Sequence, residues 1–186
     1  MNQKQQLSTI TAHSPIDEAE AIHQQAIYAF VESHPNFYKR RLTIGHVTAS
    51  AWIINPACTH ALLLHHKKLD RWLQPGGHIE EDIDVLAAAL REAKEETGIT
   101  NLTVASEKIF DIDIHTIPGN QKESEHQHFD IRYLFEAELD SIPVVSDESN
   151  DVRWFTLKEI TSNNDEASIQ RMVLKTNDLR KSRFSR

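Results

Sequence analysis

Residues 76–99 read GGHIEEDIDVLAAALREAKEETGI: a glycine pair, an acidic turn and one amphipathic run stopped by a third glycine. The spacing predicts a helix from Asp84 to Thr97, with Gly98 as its left-handed cap. Val85, Leu86, Ala89, Leu90 and Ala93 fall on one side of that helix, the side expected to be buried. Glu92, Glu95 and Glu96 stand at i, i+3 and i+4 and crowd the other side. Like charges so placed cost on the order of 0.2–0.5 kcal/mol per pair, and a hard divalent cation would offset that repulsion. Mg2+ suits the role, because it takes oxygen ligands and pairs one or two carboxylates with substrate phosphates. The plainer alternative is a solvated helix face on which Arg91 and Lys94 balance the acids. Gly76 and Gly77 weigh against it, since backbone without side chains lets a ligand approach closely.

Upstream, residues 1–13 are polar and without period, and are expected to form a loose end. Ser14-Pro15-Ile16-Asp17 has the form of a helix start, and Ile22, Ala26, Ile27, Phe30 and Val31 recur at helical spacing until His34-Pro35. Val47 to Ile54 and His60 to His65 read as two strands of a hairpin around Asn55-Pro56-Ala57-Cys58. Downstream, Val104 to Ile114 and Phe129 to Leu139 alternate as strands, with residues 115–127 as a polar loop between them. Val152 to Leu157 is a short last strand, and Ile169, Met172 and Val173 belong to a C-terminal helix. Strands framing one central helix, with helices at both ends, predict an α/β (α+β) domain: a mixed sheet covered by helices. The expected division is a helical extension over 1–42, a central domain over 43–160, and a helix with a basic tail over 161–186, all in one folding unit.

Composition excludes several classes. The chain has 186 residues and a formal charge of -8, so general binding to a nucleic-acid backbone is disfavoured. Its single cysteine, Cys58, excludes an internal disulfide framework and any multi-cysteine zinc site. No apolar run reaches the roughly 18 residues of a membrane span, and the first residues lack the apolar core of a signal peptide. The expectation is a cytoplasmic protein with a small-molecule partner, neither nucleic-acid polymer nor membrane.

Gly77 to Ile99 resembles the Nudix box, G-x5-E-x7-R-E-U-x-E-E-x-G-U, in which U is aliphatic. Gly77, Arg91-Glu92, Glu95-Glu96 and Gly98-Ile99 match, and Ala93 fills the aliphatic position. One position departs: Ile83 stands where the family has its first glutamate, with Asp82 and Asp84 on either side. The resemblance extends to Lys68–His78 ahead of the box and to Asp151-Val152-Arg153-Trp154-Phe155-Thr156, similar to an R-W-F strand in many members. It covers roughly residues 43–160.

The resemblance implies a Nudix-type α/β/α sandwich with additional N- and C-terminal helices. It also implies hydrolysis of a nucleoside diphosphate linked to another moiety, by water attack on phosphorus, with Mg2+ or Mn2+ as cofactor. By position, Glu92 and Glu96 would be metal ligands. Glu95 would be a ligand or would position the water, with Arg91 orienting its carboxylate. A carbonyl at Gly76 or Gly77 would complete the oxygen shell. Glu148 resembles the loop acid some members use as base; the alternative is a solvated loop acid. Either Asp82 or Asp84 replaces the missing glutamate, or the role is lost and the site serves weak turnover or ligand sensing. A capping role at the helix start suits both aspartates equally. The isomerases of isopentenyl diphosphate share the fold but need a cysteine near the glycine turn, which Gln74–His78 lacks. Many relatives pair as homodimers.

The remaining polar residues divide less sharply. Lys67, Lys68 and Arg71 precede the glycine turn, where a phosphate contact is reasonable, and Arg132 could point into the cleft from its strand. For all four, surface solvation is the alternative. Eleven histidines are an excess. His65-His66 and His126-x-His128, with His115 at the other end of the loop, invite a zinc reading. Phosphate contact or ordinary hydrogen bonding is the competing role for all of these, His128 included, and packing beneath the turn is the role expected of His78. Trp52, Trp72 and Trp154 are expected in the core.

Overall fold

The protein is described here from a computed structural model, which describes residues 2–119 and 124–185. Helix α1 spans Gln3–Thr11 and α2 spans Glu18–Ser33. Strands β1 (Gly45–Ile54), β2 (His60–His66), β3 (Arg71–Leu73) and β4 (Gly76–His78) lead to α3 (Val85–Thr97). Then come β5 (Thr103–Val104), β6 (Asp111–Ile117), β7 (His126–Glu136), β8 (Ser149–Thr156), α4 (Leu157–Asn163) and α5 (Ala167–Phe184). The strand order is β3-β2-β1-β7-β5, with β4 pairing with β1, β6 with β7 and β8 with β2. The chain divides into two units: Met1–Ser50, Gly76–Leu90 and Ser106–Tyr133 form the first, and Ala51–Pro75, Arg91–Ala105 and Leu134–Arg186 the second.

The first unit holds α1, which the sequence had as a loose end. Its polar run is helical because two residues one turn apart, Gln6 and Ile10, are buried. The Asn2 side chain caps its start, and Gln3 Nε2 donates to Val31 O at 2.6 Å, fastening α1 to α2. Helix α2 is capped by Asp17, which accepts from Glu20 N at 2.7 Å, three residues later than the expected Ser14 start. Ile27, Phe30 and Val31 are buried as the period requires, whereas Ile22 is exposed. Phe30 stacks on Phe129 of β7 with ring centroids 4.0 Å apart. The β6–β7 ladder runs from Asp111↔Arg132 to Ile117↔His126, so strand takes over both ends of the loop expected over 115–127. Residues 120–123 of that loop lie outside the described residues.

In the second unit β2 pairs with β8 along its whole length, and Trp52 is fully buried, its Nε1 donating to Thr176 Oγ1 of α5 at 2.9 Å. Trp72 and Trp154 are only half-buried, and Arg153 lies over the Trp72 ring. The strand expected over 104–114 is broken, since only Thr103 and Val104 pair with β7 in this unit, and β6 begins at Asp111. Polar Ser106-Glu107-Lys108, already part of the first unit, separates the two strands, with Lys108 N turning back to Ser106 Oγ at 3.1 Å. Helix α4 was not anticipated. It starts at a capping box in which Thr156 and Glu159 satisfy each other's backbone N–H.

Candidate active site

Helix α3 carries the acidic residues. Val85, Ala88, Ala89 and Ala93 are fully buried, and this apolar stripe turns the carboxylate side outward. Asp84 caps the helix, its Oδ1 accepting from Ala87 N at 2.8 Å. At the other end Gly98 adopts φ +68, a conformation that favours glycine, and Val144 N donates to Thr97 O at 2.7 Å.

The three glutamates differ in environment. Glu95 is exposed, Glu92 is partly covered with 15% of its side chain accessible, and Glu96 is buried. One nitrogen of Arg91, Nη1, donates to Glu92 Oε1 at 2.9 Å and to Glu95 Oε2 at 3.0 Å. Burial pushes the Glu92 carboxyl above the usual carboxylate range. Arg91 opposes that shift, and the charges of Glu95 and Glu148 reinforce it.

Glu148 stands just ahead of β8, where the pairing with β2 shifts register between His65 and His66. Lys67 N donates to Glu148 O at 3.1 Å and Lys67 Nζ to Asp147 O at 2.7 Å, so this loop is fastened to the end of β2. Glu148 is exposed, and both Glu92 and His66 feel its charge. Burial lowers the His66 pKa, Glu148 resists the shift and Lys68 adds to it. The His66 ring accepts the Lys68 and Leu69 N–H groups at Nδ1. The sequence offered His66 a zinc, phosphate or ordinary hydrogen-bonding role, and nothing in its local pattern brings it beside Glu148, which lies far along the chain.

The cationic residues fare unevenly. Lys68 is exposed, and Arg71 is engaged by Glu166. Arg132 is 3% exposed, and each guanidinium nitrogen meets a carboxylate: Nε on Asp130 at 2.7 Å, Nη1 on Asp111 at 3.2 Å and Nη2 on Asp113 at 3.2 Å. Arg132 thus lies in a buried ionic centre, where the sequence had offered it either the cleft or the surface. Burial alone would lower its pKa, but the three aspartates outweigh that and raise it. His128 is part of a histidine cluster, and burial together with the neighbouring imidazoles pushes its pKa down to about 2.

Gly76 and Gly77 are the first two residues of β4 and pair with Ser50 and Ala49 of β1. A Cβ on Gly76 would come within 2.2 Å of Ser50 Oγ, so close strand packing requires glycine there. Among the described residues no helix is long and apolar enough to cross a membrane.

Comparison with known proteins gives three likenesses of different kinds. A family model described as NUDIX domain matches residues 45–176. The probable DHNTP pyrophosphohydrolase of Lactococcus lactis subsp. cremoris (strain MG1363) is 38% identical over 77 residues, 40% of this chain and 45% of that protein. Phosphatase NudJ of Escherichia coli (strain K12) is 34% identical over 92 residues, 48% of this chain and 54% of that protein. The chain thus spans about half the length of the curated relatives it matches. A solved structure of a C. elegans Ap4A hydrolase binary complex superposes with TM-score 0.58 and 22% identity, covering 72% of this chain and 96% of that one. The shared fold is the α/β/α type expected, a mixed sheet with helices.

Proposed function

We propose, from the premise that this chain belongs to the Nudix family, that it is a divalent-metal-dependent pyrophosphohydrolase. Its substrate is a nucleoside diphosphate linked to another moiety, of the nucleotide or nucleotide-sugar type. The observation that carries the reading is Arg91 bridging Glu92 and Glu95 beside a buried Glu96. Carboxylates crowded on one helical turn, one of them with its pKa raised by burial, are a donor set that suits a hard cation. Glu92 and Glu96 would hold Mg2+ or Mn2+, with Glu95 beside them. When bound, the ion neutralises charge on the phosphate oxygens.

The protein's own part is positioning. Arg91 fixes the Glu95 carboxylate so that it orients the attacking water. Glu148 accepts the proton that water loses as its oxygen bonds to phosphorus. The bridging P–O bond breaks, giving a nucleoside monophosphate and the phosphorylated second moiety. Lys68 is the exposed cation retained for phosphate contact; Arg71 would have to leave Glu166 to join it, and Arg132 is left out of the reading.

The test is a screen with Mg2+ or Mn2+ of nucleoside triphosphates, nucleotide sugars, Ap4A and DHNTP, the last two being compounds that the names of similar proteins carry. Released phosphate or nucleoside monophosphate is scored. Glu92→Gln and Glu96→Gln are each expected to lower turnover at least about 100-fold with unchanged circular dichroism, equivalent to about 2.7 kcal/mol of barrier. Full activity in both variants refutes the assignment. One observation favours a second reading, a ligand-binding module of weak turnover: Ile83, in the family's glutamate position, is 80% exposed. Tight nucleotide binding by calorimetry with no product from any compound would select it.

A further inference from the structure

Five of the histidines meet in the first unit, and the glutamate chemistry uses none of them. His46 lies at the start of β1, His78 ends β4, His126 and His128 lie on β7, and His115 faces His128 from β6. The register accounts for the convergence. Thr48 is opposite His78, and His46, two residues before Thr48, shares its face of β1. The His46 ring centroid is 4.9 Å from both His78 and His128, and those two are 5.4 Å apart. His126 stands 5.2 Å from His46 and from His128, and His115 is 5.4 Å from His128.

Packing alone does not account for this cluster. The Nε2 atom of His128 is buried and has no hydrogen-bond partner. Native interiors seldom leave such an atom unsatisfied, and an ion or a water is the usual reason when one is found. One ring nitrogen each from His46, His78 and His128 lies within 4.8 Å of the other two. On a tetrahedral Zn2+ with Zn–N near 2.0–2.1 Å, ligand nitrogens sit about 3.3 Å apart, so any pair has to close by no more than about 1.5 Å.

We infer that His46, His78 and His128 together bind one borderline divalent transition ion of the Zn2+ class, with water in the fourth position. Imidazole favours Zn2+, Ni2+ or Cu2+ over Mg2+, so the site differs in metal preference from a carboxylate set. The ligands come one from each of three strands, instead of from His126 and His128 as a pair. The bound ion therefore cross-links β1, β4 and β7. The inference does not depend on the proposed hydrolysis.

The test uses the full chain, freed of metal with chelator, and Zn2+ alone as the probe. The Glu92→Gln/Glu96→Gln double variant serves as background, so that carboxylate binding on α3 does not contribute. One equivalent of Zn2+ per chain by elemental analysis after desalting is expected, together with a rise in melting temperature on adding the ion. His78→Gln and His128→Gln are each expected to weaken Zn2+ binding at least tenfold by calorimetry. Should either variant fail to fold, Co2+ in the background protein decides. The intense visible absorption of a four-coordinate ion supports the site, and the faint spectrum of a six-coordinate ion, or none, overturns it. Absence of Zn2+ binding in the background protein, or affinity unchanged in folded histidine variants, also overturns it.

Discussion

Arg91 Nη1 lies 3.0 Å from Glu95 Oε2, one helical turn ahead of it, and the same nitrogen is 2.9 Å from Glu92 Oε1. One guanidinium nitrogen thus fixes two carboxylates that would otherwise repel. Arg91→Ala is expected to lower kcat by about 10–100-fold, or about 1.4–2.7 kcal/mol, with little change in KM. Arg91→Lys should retain part of the rate, because an ammonium supplies the charge without the planar fork. Unchanged kcat in the alanine variant would remove Arg91 from the mechanism.

Glu92 also sets a trade between stability and function. Burial raises its folded-state pKa above the unfolded value, so its stabilising contribution is full below the unfolded pKa and is lost as pH rises through the folded one. At pH 7.5 the metal-free fold therefore carries the cost of a charged, partly buried carboxylate. Glu92→Gln should melt higher than wild type without metal, by a few degrees at the roughly 2–4 °C per kcal/mol of a chain this size. Added Mg2+ should narrow or reverse the difference, because only the wild type gains by binding it. Calorimetric scans with and without Mg2+ decide it, and an equal or lower metal-free melting point in the variant contradicts the argument.

Arg132 supports a different prediction. Its three aspartate partners, Asp111, Asp113 and Asp130, are at most 13% exposed, and Asp130 also accepts from Thr48 Oγ1 at 3.0 Å and Ser50 Oγ at 2.8 Å. Arg132→Met leaves buried carboxylates without their cation, a loss of about 3–5 kcal/mol. A fall in melting temperature on the order of 10 °C is expected, and a fall under about 2 °C would show the aspartates finding other compensation.

What the sequence made legible was local. Helix α3, its Gly98 cap and the stacking of Glu92, Glu95 and Glu96 follow from 3.6 residues per turn and need no tertiary knowledge. The Thr156/Glu159 capping box is a local signal too, two residues three apart that mark the start of α4. Helix α1 was not legible, because its period rests on Gln6 and Ile10 and on burial against α2. For Arg132, alternation does place Asp111 and Asp113 on one face of β6, but only the β6–β7 register brings that face to the arginine. The His46, His78 and His128 convergence depends on the pairing of β4 with β1 and on the position of β7, which spacing within any one strand does not encode.

The metal-free histidine cluster should make the fold sensitive to acid. The His128 pKa is held at about 2 by burial and by His115, His46, His78 and His126, so the folded state refuses a proton that the unfolded chain accepts below its ordinary value of 6.5. Between those values the unfolded state binds more protons, and stability falls as pH falls, by up to about 1.4 kcal/mol per pH unit. Urea midpoints of chelated protein from pH 7.5 to pH 5 should drop more steeply for wild type than for His128→Gln. Parallel slopes would mean that His128 takes up its proton without opening the fold.

Ile83 is 80% exposed, in the position where the family pattern has a glutamate, and its flanking acids are already occupied. Asp84 Oδ1 accepts from Ala87 N at 2.8 Å and caps α3, while Asp82 Oδ2 accepts from Glu80 N at 3.3 Å within the turn. Freeing Asp84 for a metal or a water would cost a helix cap, typically about 1 kcal/mol. An exposed side chain at 83 can be exchanged at little cost, within about 0.5 kcal/mol for a surface site of this kind. Ile83→Glu is therefore expected to keep the wild-type melting temperature and to raise kcat/KM with Mg2+ about tenfold, about 1.4 kcal/mol of transition-state stabilisation. No gain from Ile83→Glu, coupled with a loss in Asp82→Asn, would instead assign the missing glutamate's role to Asp82.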